Sequence, residues 1–345
     1  MAYKFKLDEL SAKGFRRIAR EQFQRAAAEL GRPEMAAGNV HETRKVVKRL
    51  KSLLRLMRPA ISKKTFRTRY QRISKIGAAL APMRDRHVMF ETIGKLEARF
   101  GPEGIGVLQP LRPLLAGSRN LMPERSNPHA GRRVIAQSII EAQKFKKIAF
   151  KAKGFEALSA GVEETYRVGR RNFARAYKRP TDEAFHELRK AVQWHWRQMA
   201  LISRAWPEYF EARIASARQL AEILGEDHDL AILEAEVRKH SARLPEDAGP
   251  IEHLIHLRKG ELRQAAYPYA ERLFVEKPGD FARRISAYWI SSQKMRQLDR
   301  DANTDGDTSK QADATKSADA GPCLDTQPRG EITQPAPVAP QPLIR

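Results

Sequence analysis

Two segments of the chain carry the same run of reactive side chains. His41-Glu-Thr-Arg44-Lys45-Val46 recurs 145 residues later as His186-Glu-Leu-Arg189-Lys190-Ala191. Imidazole, guanidinium and ammonium groups in one run supply positive charge and hydrogen-bond donors, the chemistry that recognises phosphate. Each run opens like the zinc-protease pattern H-E-x-x-H, but the fifth positions are Lys45 and Lys190, which excludes that site. A phosphate-cradling G-x-x-x-x-G-K-[ST] loop is absent from the sequence. Some 43 or 44 residues after each histidine comes an aspartate, Asp85 in Leu80-Ala-Pro-Met-Arg84-Asp85-Arg86-His87 and Asp229 in Leu224-Gly-Glu-Asp-His228-Asp229-Leu230. Each is expected to open a helix, where a carboxylate caps backbone N–H groups. Asp85 and Asp229 are therefore structural first, with a second role orienting an arginine.

These runs must be held on helices. Apolar residues at three- and four-residue spacing predict helices near 8–30, 39–58, 62–80, 84–100, 131–151, 155–178, 181–204, 207–224, 228–241, 250–264 and 280–297. Breaks fall at Gly/Pro positions, among them Gly31-Arg-Pro33, Pro59, the 101–128 stretch, Gly225 and Pro278-Gly279. The fold class is all-α. A doubled unit of 145 residues predicts two similar antiparallel bundles, about 5–151 and 155–297, related by a pseudo-two-fold axis.

On a helical wheel His41, Arg44, Lys45, Lys48, Ser52 and Arg55 share one side, flanked by Arg49 and Lys51. Val46, Val47, Leu50, Leu53, Leu54 and Met57 take the other. Burying that apolar face turns a row of cations outward, and their mutual repulsion makes sense if a polyanion lies along them. The second helix repeats this with His186, Arg189, Lys190, Gln193, Arg197 and Arg204. His195 falls on its apolar side and reads as a core histidine, and Trp194 and Trp196 read as packing residues. Preceding helices add Lys13, Arg16, Arg17 and Arg20 in the first half and Arg167, Arg170, Arg171 and Arg175 in the second.

Net charge supports the polyanion reading. The 345 residues hold 64 Lys+Arg against 41 Asp+Glu, a formal +23. Residues 301–345 contain four Lys/Arg, seven Asp/Glu and no aromatic, so 299–345 is expected to be a disordered acidic, Pro-rich tail. Asp301, Asn303, Asp305 and Gly306 there match half a calcium loop, but Ala312 stands where its bidentate glutamate belongs. Linker composition explains the match better, and no metal or other cofactor is expected. A single Cys323 excludes internal disulfides and thiolate zinc sites. No run approaches the ~18 apolar residues of a membrane span, and the opening residues lack a signal-peptide core. A cytoplasmic location is expected.

The doubled His-x-x-Arg on a basic helix, the later aspartate after a Leu-(Gly) turn and the stretch Thr165-Tyr166-Arg167-x-Gly169-Arg170-Arg171 resemble the CHAD domain, the conserved histidine α-helical domain. The resemblance covers roughly 5–297. It implies two four-helix bundles facing each other across a basic groove or pore that binds inorganic polyphosphate, in some relatives at polyphosphate granules. Carried onto this chain, the phosphate-contacting set is His41, Arg44, Lys48, Arg49, Lys51 and Arg55 with His186, Arg189, Lys190 and Arg197. Lys45, Arg16, Arg20, Arg167, Arg170 and Arg171 extend it as neighbouring cations. Gln193 and Trp196 depart from the Lys and Arg that the family often has there. Many relatives carry an N-terminal triphosphate-tunnel domain; the basic helices here begin almost at Met1, so a stand-alone domain is expected. Binding without catalysis is the expected function, with nucleic acid as the rival and weaker partner and a metal-dependent phosphate-processing enzyme as the remote alternative.

Overall fold

The apolar faces read from the sequence build the helices of a computed structural model. It describes residues 3–32, 37–80, 82–117, 128–244 and 247–316, of which 37, 82–87, 117, 128–131 and 302–316 are described by their backbone alone. Among the described residues there are eleven α-helices and no strand. They are α1 (Ser11–Leu30), α2 (Ala37–Leu56), α3 (Lys63–Ala78), α4 (Pro82–Leu108), α5 (Leu111–Gly117), α6 (Pro128–Lys146), α7 (Phe155–Lys178), α8 (Asp182–Ile202), α9 (Pro207–His240), α10 (Gly249–Phe274) and α11 (Pro278–Lys316). No helix of the described residues is long and apolar enough to cross a membrane.

The 145-residue repeat is visible in the element order. Shifting α2 by 145 lands on α8, and shifting the 3-10 turn Arg58–Ala60 lands on Ser203–Ala205. The start of α8 is fixed by Thr181, whose hydroxyl accepts from Ala184 N at 3.2 Å, and that of α3 by Ser62, which accepts from Thr65 N at 3.1 Å. In the first half α1 lies between α2 and α6; in the second α8 lies between α7 and α9.

Packing departs from two self-contained bundles. One core runs through both halves, from Phe15, Val46 and Leu53 to Phe185, Leu188 and Phe210. A second core joins Met89, Ile93, Leu96, Leu108 and Leu111 of α4 and α5 to Leu230, Leu233, Val237 and Ile255 of α9 and α10. Helices α4 and α5 of the first repeat thus bury their apolar faces on the second repeat. The chain ahead of α1 is also shared: Phe5 is buried, and its N–H donates to the Leu201 carbonyl at 2.7 Å.

Three local expectations need correction. Gly225 does not break the chain, because Leu220, Leu224, Leu230 and Leu233 keep one apolar face continuous and α9 runs straight through it. Asp229 consequently sits deep inside α9, where it caps no helix start. The backbone of 301–316, expected to be disordered, continues α11 as helix, including the half-calcium-loop residues. Residues 317–345 lie outside the described residues. The chain divides into units 1–295 and 296–345, the second represented here by the last turns of α11.

Glycine matters most at Gly161, where α7 meets the C-terminal end of α2. A Cβ there would overlap the Leu56 carbonyl. The approach is clamped by an ion pair between Arg58 and Glu164. Overpacking a tight contact costs about 1–3 kcal/mol. G161A is therefore expected to lower the denaturant midpoint by at least that equivalent, whereas G38A, with open space around its Cβ, leaves it nearly unchanged.

Candidate functional site

The two His-led helices touch. Ser52 of α2 donates from its hydroxyl to the Trp194 carbonyl of α8 at 3.1 Å. Gln198 Nε2 of α8 donates to Ser52 O at 3.4 Å and to Thr165 Oγ1 of α7 at 3.1 Å. Ser52 lies on the basic side of the wheel yet is fully buried, because that side faces the other repeat. The small residue at the crossing brings two cationic stripes together.

The stripes converge on a cleft of about 120 Å³. Arg44 and Lys48 of α2, Arg189 of α8, and His228 and Asp229 of α9 line it, with Val88 and Met89 of α4 as an apolar edge. Arg44 is held by donation from Nη1 to the Leu80 carbonyl at 3.1 Å, at the end of α3. Gly225 stands 145 residues after Leu80, and the Arg189 guanidinium lies alongside it. His186 stands next to this group: its Nδ1 is 3.1 Å from Nδ1 of His228, with ring centroids 4.2 Å apart. At that distance one nitrogen carries the proton and the other accepts. Burial, then the Lys190 and Arg189 charges, push the His186 imidazole below its usual pKa.

Around the crossing, aromatic faces rather than carboxylates steady several cations. The Arg55 guanidinium lies 3.8 Å from the Trp194 ring centre, and Lys51 Nζ is 5.4 Å from that of Tyr70. Arg49 lies over Tyr3, whose hydroxyl donates to the Arg49 carbonyl at 2.7 Å. Burial lowers the pKa of Lys51, Arg49 and Arg55. Lys190 adds to the effect on Lys51, Arg25 to that on Arg49, and Arg58 and Arg171 to that on Arg55. The positive charges of the two repeats therefore work against each other in a partly desolvated place.

Other candidates are placed differently. His41 is exposed at the N-terminal end of the stripe. Lys45 donates to Glu42 at 2.7 Å and Lys190 pairs with Glu187, so the glutamate of each His-Glu run neutralises the lysine three residues on. Arg197, expected on the surface, is 7% exposed and donates to the Gln193 carbonyl at 2.7 Å above Trp196. Burial beneath the N-terminal segment, together with the charges of Arg49, Arg189 and Arg218, pushes it down to about 10. Arg16 faces away from the cleft and donates to the Lys146 and Ile148 carbonyls at 3.0 and 2.9 Å. Arg20 is exposed one turn further along α1. Arg167 pairs with Glu163, and Arg170 donates to the Glu276 carbonyl at 2.6 Å, securing the turn before α11. Arg171 is exposed and close enough to act on Arg55. The Asp85 side chain lies outside the described residues. His195 is a core histidine, as expected, with Nε2 accepting from Arg213 at 3.0 Å.

His228 is the functional-site residue that sequence reasoning passed over. It stands within the Asp227-His-Asp229 run, but the position 145 residues earlier is Met83, so the repeat gives no signal for it.

Among solved structures the chain is similar to the crystal structure of the CHAD domain from the plant Ricinus communis, at 16% identity. That likeness covers 79% of this chain and 93% of the plant chain, with a TM-score of 0.48. No curated protein matches. The CHAD domain family matches residues 17–238, which take in both His-led helices and the whole cleft lining. The chain belongs to the CHAD domain family.

Proposed function

We propose that the protein binds inorganic polyphosphate in the cleft between α2, α8 and α9, without chemical conversion, as a cytoplasmic module able to dock on polyphosphate granules. The observation that carries this is the convergence of Arg44 and Lys48 from one repeat with Arg189 and the His186–His228 pair from the other. Asp229 is the one carboxylate among the described lining residues. Bringing such groups together is electrostatically costly, and a ligand carrying one charge per unit offsets that cost along its length.

The aromatic placements favour a bare phosphate chain over nucleic acid. Single-stranded nucleic acid binds through aromatic faces that stack on bases. Here Trp194, Trp196, Tyr70 and Tyr3 already lie against Arg55, Arg197, Lys51 and Arg49. Phosphoryl transfer needs carboxylates that hold divalent metal beside the phosphate. The described lining offers Asp229 alone for that task, which supports binding over catalysis.

Equilibrium binding to long-chain polyphosphate, with single-stranded DNA and RNA competing at matched salt, tests the reading; equal competition per phosphate sinks it. R44Q, K48Q and R189Q should each weaken binding about tenfold and flatten the log–log salt dependence by ~0.7, with helicity unchanged.

A pH series makes a second test. His186 and His195 are both depressed in the folded protein, so their contribution to stability is present above the unfolded pKa of ~6.5 and is lost as pH falls through the folded values. The free protein should therefore melt at lower temperature on acidification below about pH 6.5. A phosphate beside His186 favours its charged form, so binding should tighten over the same range and H186Q should abolish that tightening. Binding that weakens on acidification would remove His186 from the site.

A further inference from the structure

A second basic groove lies outside the cleft. Over residues 62–81 the chain has Lys63, Lys64, Arg67, Arg69, Arg72 and Lys75 and no acidic residue. Helix α3 packs on α6, which carries Arg132, Arg133, Lys144 and Lys146 and a single acid, Glu141. Between the two helices is a groove of about 340 Å³, lined by Arg69, Arg72, Lys75, Ile140, Glu141 and Lys144 among others. Arg69 Nη1 donates to Glu141 at 2.8 Å, and both are largely buried, so this carboxylate is spent on holding Arg69. Arg72, Lys75 and Lys144 are exposed and form no ion pair among the described residues.

The fold does not require this patch. The segment 145 residues on, at the start of α9, carries Glu208, Glu211 and Glu222 beside Arg213 and Arg218. Only one repeat accumulates cations at this position, and like charges at this spacing on a helix cost stability. An anion seated between these cations would offset that cost.

The groove also lies close to the cleft's basic stripe. Tyr70 on α3 lies under Lys51 of α2, while Arg69, one residue earlier, turns toward α6. One helix, about 10–12 Å across with its side chains, thus separates the two basic surfaces.

We infer that the α3–α6 groove is a second anion site that takes another stretch of the same phosphate chain, so that one long polymer engages both surfaces of the molecule. This rests on the polyphosphate reading of the cleft. It makes the protein a chain-length discriminator: tripolyphosphate occupies the cleft alone, whereas a long chain gains the second contact at high effective concentration.

The experiment compares full-length wild type, the triple variant R72Q/K75Q/K144Q and a control triple variant, R243Q/K277Q/K294Q, of exposed cations elsewhere. Each is titrated with tripolyphosphate and with long-chain polyphosphate over a range of salt. The groove variant should lose at least about tenfold in long-chain affinity and flatten the salt slope by about 2, with tripolyphosphate affinity unchanged. The control should stay within about twofold of wild type for both ligands, since it touches neither site. Unchanged long-chain affinity in the groove variant overturns the second site, as does an equal loss in the control, which would reduce the effect to net charge. Parallel loss for both ligands overturns the independence of the groove from the cleft. Wild type that binds neither ligand overturns the function proposed for the cleft and this inference with it.

Discussion

The buried crossing of α2 and α8 holds two rows of cations against each other. Ser52, Trp194 and Gln198 make two hydrogen bonds across it, and Leu53, Leu54, Ala191 and Val192 fill in around them. A single neutral hydrogen bond is worth only about 1 kcal/mol net, so the polar contacts fix register while apolar burial supplies most of the hold. The opposing force is electrostatic. Lys51 faces Lys190, and Arg197 faces Arg49, Arg189 and Arg218, in positions drier than the open surface. Lys51 and Arg197 are pushed toward their neutral forms, first by burial and then by these neighbouring charges.

The molecule handles that repulsion in two ways. Where a cation must stay available, it is laid on an aromatic face, which stabilises charge without neutralising it: Arg55 on Trp194, Lys51 on Tyr70, Arg49 on Tyr3. Where it is a structural fixture, it is given a carboxylate or a carbonyl. Lys45 and Lys190 take the glutamates three residues before them, and Arg16 and Arg170 take backbone oxygens. The same residue types thus meet different partners, and at Arg44, which lines the cleft while donating to the Leu80 carbonyl, both uses fall on one side chain.

That distinction marks the limit of what the sequence shows. The helices α2 and α8, their apolar faces and their common register were legible, because periodicity and a 145-residue repeat are properties of the chain itself. Arg44, Lys48 and Arg189 followed, since the buried face fixes the other one. Arg197 was misplaced because a wheel records direction around its own helix, and what covers that direction is the distant Tyr3–Phe5 segment. Gly225 was read as a break because glycine is a poor helix former, but burial of α9 on both sides of it outweighs a propensity cost of about 1 kcal/mol. His228 was missed because it has no counterpart in the other repeat. The swapped packing of α4 and α5 onto α9 and α10 was also illegible, since an apolar stripe does not name its partner.

The two repeats use charge differently. In the second half the conspicuous ionic feature is internal: Lys259 bonds Glu234 at 2.7 Å and Asp182 at 2.7 Å, while Arg263 joins Asp182 to the buried Asp227. That network ties α8, α9 and α10 together and leaves no charge over for a ligand. In the first half the cations of α3 lie largely open to solvent, whereas those of α2 are mostly half-buried and several rest on aromatic faces. A buried pair contributes mainly by being complete, because each partner would be costly alone. An open row of like charges contributes nothing to folding and opposes it. The formal +23 is therefore an unequal sum: the second repeat ties Lys259 and Arg263 into a buried network while still giving Arg189 to the cleft, and α3 of the first repeat keeps most of its cations facing outward.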